Sequence, residues 1–396
     1  MATQWIRSLP AVVLWCLPVW SQTELRPSRP GDVVRILNTD LAVLETPESR
    51  TDLDCEVSPI KPDFGFDFRF HAGYQVRIPL RELTGEGNQL RVLVRVTPLD
   101  RPDSLHYLVD RFTVPPIEEG AKGEAMLPGE YTLGPGRYQV DWLMRDRSER
   151  VCSSHWVMEA RLDDEHRDLP LTLPPDTVDQ RPQDIFRGQS PVERVALGQR
   201  LHVRLLVNFS PTDPRDSTLK PWDVDAIVSI LRSIAREPHI YHFSLVAFNI
   251  HEESVIYRAH RVSQIDFPAL GEAVSALRLG RIDYRRLEDP HSATRFLTSL
   301  LVEQLGPQQP EPDAIIIVGP KLMLDKNIPQ QALKEAGRAK CPVFYLNYNS
   351  NPRGSPWRDA IGAVLKIYRG LEYSITFPRD LGAALTDMVS RLREPH

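Results

Sequence analysis

The pattern of apolar residues changes near residue 198, and this change constrains the fold more than any other feature of the chain. From residue 33 to residue 162, short runs rich in β-forming residues recur between turn-forming residues. Such runs predict strands, and their regular spacing is typical of a β-sandwich. We predict strands at residues 33–37, 66–70, 74–78, 90–96, 107–109, 137–143 and 155–160.

After residue 198 the chain alternates between strand-like and helix-like segments. An apolar run ends at Asn208, and residues 225–236 follow with apolar side chains every three or four positions, as in a helix. Residues 314–318 are apolar throughout, which is typical of a central strand covered on both faces. The order of strands and helices predicts a doubly wound α/β domain, so the fold class is multidomain, all-β followed by α/β.

Residues 163–197 separate the two patterns and contain repeated prolines. Proline keeps the backbone extended and interrupts regular structure. We therefore predict a β-sandwich domain at residues 33–162, a Pro-rich linker at 163–197 and an α/β domain at 198–396. The linker residues suit an irregular strap packed between the domains as well as they suit a free hinge.

The first 21 residues have the composition of a secretory signal peptide. Arg7 supplies a positive charge, residues 9–20 are mostly apolar, and the small side chains of Val19 and Ser21 suit cleavage after Ser21. The apolar run is too short, and too often interrupted by proline, to span a bilayer. We predict a secreted or periplasmic protein with no stable membrane span after cleavage. A retained N-terminal anchor is the alternative.

Three cysteines remain after the predicted signal peptide. Cys55 and Cys152 lie in strand-like surroundings in the N-terminal half, and in an exported domain two such cysteines are expected to form a disulfide. Two buried free thiols are the alternative. Cys341 precedes Pro342 and an apolar run, which predicts a buried free thiol at the start of a strand. No cysteine or histidine spacing typical of zinc ligands occurs.

The charge and the motifs argue against several classes of function. The chain has 48 basic and 53 acidic residues, so its charge gives no reason to expect nucleic acid or an anionic membrane as a partner. Ser210 and Ser217 lack a Gly-x-Ser-x-Gly setting, and no glycine-rich phosphate loop occurs. The acidic run at residues 163–165 falls in the predicted linker, where solvated side chains are expected. We therefore predict that the protein is not an enzyme and needs no cofactor.

Three small oxygen-bearing side chains stand at the predicted strand end. Asn208, Ser210 and Thr212 are two residues apart, so in an extended segment their side chains point the same way. They follow the carboxyl end of a strand, where open α/β sheets bind ligands. Two interpretations remain open. The oxygens converge on a hard cation such as Mg²⁺, or they bond the loop backbone, as such residues do in turns.

The order of elements after residue 200, with a two-strand hairpin after the first helix, resembles the von Willebrand factor type A fold over residues 200–393. Residues 369–373, followed by 377–381, resemble the turn, strand and final helix start of bacterial members. In the N-terminal half, residues 127–131 and 135–142 resemble the last hairpins of bacterial immunoglobulin-like modules. These resemblances imply an immunoglobulin-like sandwich followed by a Rossmann-like, type A-like domain.

The type A resemblance also implies a site. Members commonly hold a divalent cation in an Asp-x-Ser-x-Ser motif, completed by a later Thr and by an Asp after the fourth strand, and the metal bridges to a carboxylate on a protein partner. Ser210 and Thr212 match the two serines, whereas Asn208 replaces the Asp and Gly319 stands where the second Asp is expected. Asp283 is the nearest candidate for the later ligand. Mg²⁺ favours anionic oxygens, so the loss of two acids predicts a degenerate adhesion site.

The combination of an exported sandwich and a type A-like domain implies recognition of another protein, of unknown identity. The predicted binding residues are Asn208, Ser210, Thr212 and Asp283, and the same four are the candidate ligands if a divalent cation binds. Trp222 is either a partner anchor, because tryptophan often dominates interface energy, or the first core residue of its helix. The alternatives are a structural envelope or scaffold protein and a divalent-metal-dependent adhesion module.

Overall fold

A computed structural model describes residues 23–25, 36–164, 167, 169–180, 184–195, 200–212, 216, 219–277, 289, 291–307, 311–324, 328–335, 337, 340–353 and 357–393. The chain divides into two compact units, Met1–Gln183 and Asp184–His396. The predicted signal peptide lies outside the described residues. None of the helices described is both long enough and apolar enough to cross a membrane.

The N-terminal unit consists of two antiparallel sheets. Its elements are β1 (Thr23–Leu25), α1 (Asn38–Glu45), β2 (Glu56–Phe64), β3 (Phe70–Pro79), β4 (Asn88–Pro98), β5 (His106–Val114), β6 (Glu124–Leu133), β7 (Gly136–Arg145), β8 (Val151–Ala160) and β9 (Val178–Gln180). One sheet has the order β1-β5-β4-β7-β8, and the other has the order β2-β3-β6-β9. β9 lies inside the predicted linker and pairs with β6, so this part of the Pro-rich segment belongs to the N-terminal unit.

The core of this unit contains buried side chains from both sheets. The Tyr74 ring of β3 meets the Trp142 ring of β7 edge-on, with 5.5 Å between centroids. The Tyr74 hydroxyl donates a hydrogen bond of 2.5 Å to the buried Asp110 carboxylate on β5, which belongs to the other sheet. The predicted disulfide is confirmed, because Cys55 is bonded to Cys152 with 6.4 Å between their Cα atoms.

Helix α1 covers the opposite face of the five-stranded sheet. Leu44 packs there against Leu93 and Leu143, which alternate along their strands with residues of the main core. Arg145 donates hydrogen bonds of 2.8 and 2.5 Å to the buried Asp40 carboxylate at the start of the helix. The predicted strand at residues 33–37 is wrong in its described part, since residues 36 and 37 lead into this helix.

The strand predicted at residues 66–70 from alternating aromatic residues is wrong. Residues 66–69 form the turn between β2 and β3, and Phe68 adopts a left-handed φ of 59°. The aromatic residues alternate because they pack on one another: the Phe64 ring lies 5.0 Å from that of Phe70 and 6.1 Å from that of Phe68. Strand β2, which contains Pro59 and Pro62, was not predicted.

The C-terminal unit alternates strands and helices. Its elements are β10 (Leu201–Asn208), α2 (Pro221–Ala235), β11 (Ile240–Asn249), β12 (Ser254–Val262), α3 (Phe267–Ser275), α4 (Ser292–Leu305), β13 (Ala314–Pro320), α5 (Gln330–Glu335), β14 (Val343–Tyr348), α6 (Ala360–Tyr368), β15 (Leu371–Ile375) and α7 (Pro378–Arg393). The sheet has the order β12-β11-β10-β13-β14-β15. All neighbours pair in parallel except β11 and β12, which are antiparallel.

The parallel strands place five carboxyl ends along one edge of this sheet, which we call the carboxyl edge. The predicted strand at 314–318 is confirmed as a central strand in which every residue is buried. The predicted helix at 225–236 is also confirmed, although it begins earlier, at Pro221. Cys341 is a free cysteine just before β14, and it is half-buried rather than fully buried; burial raises its pKa to about 11.

Candidate functional site

The loop at residues 208–212, which we call the strand-end loop, follows β10 at the carboxyl edge. Asn208 is fully buried and uses both ends of its amide. Its Nδ2 donates to the Pro320 carbonyl at 3.1 Å, and its Oδ1 accepts from the Ser210 backbone N–H at 3.0 Å. The side chain therefore ties β10 to the end of β13 and closes a turn in its own loop.

Ser210 fixes the strand-end loop to the neighbouring strand. It is fully buried, and its Oγ accepts a hydrogen bond of 2.7 Å from the Ile250 backbone N–H just after β11. Asn249 supports the same junction, because its Nδ2 donates to the Phe209 carbonyl at 2.8 Å. Thr212 is half-buried at the end of the loop, and Asp283 lies outside the described residues. The fully buried side chains of Asn208 and Ser210 are thus out of reach of a protein partner.

Gly319 leaves no room for the acid that the type A family has at this position. Its φ is +145°, in a region that favours glycine. A Cβ atom at residue 319 would lie 2.7 Å from the Asn208 Cβ and 2.7 Å from the Asn208 carbonyl oxygen. The close approach of β13 to β10 therefore depends on the missing side chain.

These contacts do not fit the divalent cation that the type A resemblance implies. The amide oxygen of Asn208 is bonded to the loop backbone, the Ser210 hydroxyl accepts from Ile250, and position 319 cannot hold a carboxylate in this backbone. In the part of the chain that the structure describes, no group of three His, Cys, Asp or Glu side chains is arranged to hold a metal. The geometry corresponds to the second interpretation of the sequence, in which these side chains bond the loop backbone.

A second buried network fixes the loop after β13. Asp359 caps α6 by accepting from the Gly362 N–H at 2.8 Å, and it also accepts from the Leu322 N–H and the Tyr345 hydroxyl, both at 2.9 Å. Burial raises the pKa of Asp359, against the effect of these three donors. Sequence reasoning missed Asp359; aspartate is a common helix cap, but the bonds of this residue to β14 and to the loop after β13 are not visible in any local pattern.

Trp222 is an exposed aromatic residue of this region. It occupies the first turn of α2, 61% of its surface is accessible, and the Lys220 Nζ lies 5.5 Å from its ring centroid. The next residue, Asp223, is bonded to Tyr348 at the end of β14, and burial raises its pKa. This bond holds the start of α2 at the carboxyl edge. The interpretation of Trp222 as a core residue is wrong, because its ring faces solvent.

An ion cluster in the N-terminal unit was not anticipated from the sequence. The His71 Nε2 lies 2.9 Å from the Asp67 carboxylate and the His71 Nδ1 lies 2.8 Å from the Glu130 carboxylate. Burial lowers the pKa of His71, but the hydrogen bonds to the two acids outweigh it and raise the pKa to about 10. The imidazolium joins the β2–β3 turn to β6, so the cluster acts as a structural clamp.

We expect His71→Gln to lower the free energy of unfolding of the N-terminal unit by about 1–3 kcal/mol at pH 6, because two carboxylates lose a charged partner. Since the folded-state pKa is raised from 6.5 to about 10, the contribution is complete below pH 6.5 and is lost as pH rises toward 10. Hydrogen exchange of peptides from β3 and β6 at pH 6 and pH 10 measures both effects. The exposed His260→Gln is the control; equal protection of variant and wild type at pH 6 would contradict the clamp.

Comparisons with known proteins give no assignment. No protein-family model matches the chain, and no curated protein matches it. A β-glucuronidase from Bacteroides uniformis aligns at 10% identity over 80% of this chain and 38% of its own, with a TM-score of 0.19. The sporulation control protein Spo0M from Bacillus subtilis aligns at 10% identity over 30% of this chain and 51% of its own, with a TM-score of 0.15. Similarities at this level establish neither a shared fold nor an activity.

Proposed function

We propose that the protein is an exported, non-enzymatic protein-binding protein whose C-terminal unit is a von Willebrand factor type A-like domain. The strand order, with a parallel centre and an antiparallel edge strand contributed by the β11–β12 hairpin, supports this fold. The Cys55–Cys152 disulfide supports export, because disulfides persist mainly in oxidising compartments. The antiparallel sheets and shared core of the N-terminal unit support the immunoglobulin-like sandwich.

The proposed binding surface is the carboxyl edge around the start of α2, and it works without a metal. The observation that carries the proposal is Trp222, a large aromatic side chain left 61% exposed on a helix whose start is held in place by the bond between Asp223 and Tyr348. Asn208 and Ser210 contribute indirectly, because their buried hydrogen bonds fix the edge on which the helix stands. Tryptophan is among the residues that most often dominate interface energy.

We expect Trp222→Ala to weaken binding about 30-fold or more and to reduce recovery of the partner accordingly, because truncation of an interface hot spot costs about 2 kcal/mol or more. The measurement is a pull-down from the envelope fraction of the producing cell, with the full chain as bait and the recovered proteins quantified by mass spectrometry. Recovery by the wild type should be the same with and without EDTA, since no metal takes part.

Met126→Ala is the matched control, because Met126 is also a large exposed apolar side chain (47% accessible) but lies on β6 of the N-terminal unit. Ser210→Ala is a poor test, since the buried hydroxyl supports the backbone at Ile250. If Trp222→Ala recovers the same proteins as wild type, the proposal that Trp222 lies in the binding surface is wrong. A partner that is lost with EDTA would instead indicate metal-dependent adhesion.

A further inference from the structure

Strand β8 has an edge that is only partly covered. It is the last strand of the five-stranded sheet and contains no proline over its ten residues. Its beginning is covered, because the Leu53 N–H donates to the Val151 carbonyl at 3.0 Å and the Ser153 N–H donates to the Arg50 carbonyl at 2.9 Å. Among the strands that the structure describes, none pairs with the outer side of residues 154–160.

In an antiparallel strand the backbone groups of successive residues point alternately to the two sides, and this shows which groups of β8 face the open edge. The bonds of Val151 and Ser153 point outward, and β8 pairs with β7 without a register shift. The N–H and C=O groups of His155, Val157 and Glu159 therefore also point outward, since in an antiparallel strand every second residue faces the same neighbour. Val157 is 56% accessible on this edge.

The other sheet edges carry features that discourage pairing. Strands β1 and β9 have three residues each, and β15 has five. Strand β2 contains Pro59 and Pro62. Strand β12 is longer but has two register shifts and carries Arg258 and Arg261. Short strands, prolines, irregularities and charges are the usual protection of an edge, and residues 154–160 of β8 have little of it.

We propose that residues 154–160 of β8 pair antiparallel with the same residues of a second copy of this chain, with Val157 opposite Val157. The register follows from the limits of the open stretch, because the Arg50 segment occupies the edge up to Ser153 and the strand ends at Ala160. Centring on Val157 makes the outward-facing residues oppose one another, which allows about six hydrogen bonds between the strands. This inference is independent of the binding surface at Trp222.

The side chains of the two copies are complementary in this register. On the outer face, the exposed Glu159 of each copy lies opposite His155 of the other, so no like charges face one another across the pairing. The His155 Nδ1 is already held 3.0 Å from the Asp141 carboxylate, which orients the ring on this face. The two exposed Val157 side chains would cover one another, as opposed β-branched residues do. A register shifted by one residue would place the outward-facing residues of one copy opposite inward-facing residues of the other, and the hydrogen bonds could not form.

A single cysteine placed at the centre of the pairing tests the proposal. In the full chain carrying Cys16→Ala and Cys341→Ala, Val157→Cys should form a disulfide-linked dimer on mild oxidation, because opposed residues of a hydrogen-bonded pair have Cα atoms about 5.5 Å apart, within disulfide range. Glu159→Cys is the matched control. It lies opposite residue 155 of the other copy, about 14 Å from its own equivalent, and should not cross-link.

Size-exclusion chromatography with light scattering supplies the second readout. Wild type should have about twice the monomer mass, as expected for a two-fold dimer. Val157→Pro should restore the monomer, since it removes an N–H that its own sheet does not use. The proposal is overturned if wild type is monomeric, if Val157→Cys does not cross-link, or if Glu159→Cys cross-links equally well. A monomer that pairs this edge with a different protein also counts against it.

Discussion

Loss of the Cys55–Cys152 disulfide is expected to lower the free energy of unfolding of the N-terminal unit by about 2–5 kcal/mol. The two cysteines are 97 residues apart in sequence, so in the unfolded chain the bond closes a long loop and removes much of its conformational freedom. In the folded unit the bond joins the residue before β2 to β8, and these strands belong to different sheets. Removing the bond therefore gives conformational freedom back to the unfolded chain, and it also removes a covalent link between the two sheets of the folded unit.

The measurement is urea denaturation of Cys55→Ala/Cys152→Ala beside wild type, each with and without reductant. Wild type under reductant should approach the double variant, whereas the double variant should not respond to reductant. Cys341→Ala is the matched control because that half-buried thiol is not part of a disulfide. A double variant as stable as wild type would show that the sandwich does not depend on the bond.

The strands that the sequence missed in the N-terminal unit show where local patterns fail. Strand β2, which was not predicted, contains Pro59 and Pro62; it is an edge strand, and on an edge a missing N–H costs little. Proline followed by glycine is typical of a turn, yet Pro128 and Gly129 both lie inside β6. A Cβ at residue 129 would lie 2.2 Å from the Tyr74 ring, so this glycine makes room for an aromatic side chain of the neighbouring strand. That requirement arises only in the folded sandwich.

In the C-terminal unit the sequence was a better guide, because continuous apolar runs and helical periodicity mark buried strands and amphipathic helices directly. The end of β10 at Asn208 followed from the pattern alone. What Asn208 and Ser210 bond could not follow, because their partners Pro320 and Ile250 are distant in sequence. The sequence thus locates the strand-end loop, while its chemistry depends on how closely β13 and β11 approach it.

Substitution of Gly319 is also expected to lower the free energy of unfolding strongly, because this residue allows β13 to lie close to β10. Gly319→Ala should lower the free energy of unfolding of the C-terminal unit by about 2–5 kcal/mol, since it combines an unfavourable φ with a contact that is too short. The φ is +145°, and the added Cβ would lie 2.7 Å from two atoms of Asn208. Urea denaturation, with hydrogen exchange of peptides from β10 and β13, measures the loss and locates it.

Gly337→Ala separates the two causes. Gly337 also has a positive φ, +76°, but its added Cβ would meet only Pro307 atoms at 3.5 Å or more, which is ordinary contact. Gly337→Ala should therefore lower the free energy of unfolding by about 1 kcal/mol, which is the cost of the backbone strain alone. Gly319→Asp then tests the metal question, because it introduces the acid that the resemblance to type A domains led us to expect at this position. Since the backbone has no space for that side chain, we expect a destabilised unit without a thermal shift in Mg²⁺. A stable variant with a Mg²⁺-dependent shift would show that β10 and β13 can separate and that the strand-end loop retains a latent cation site.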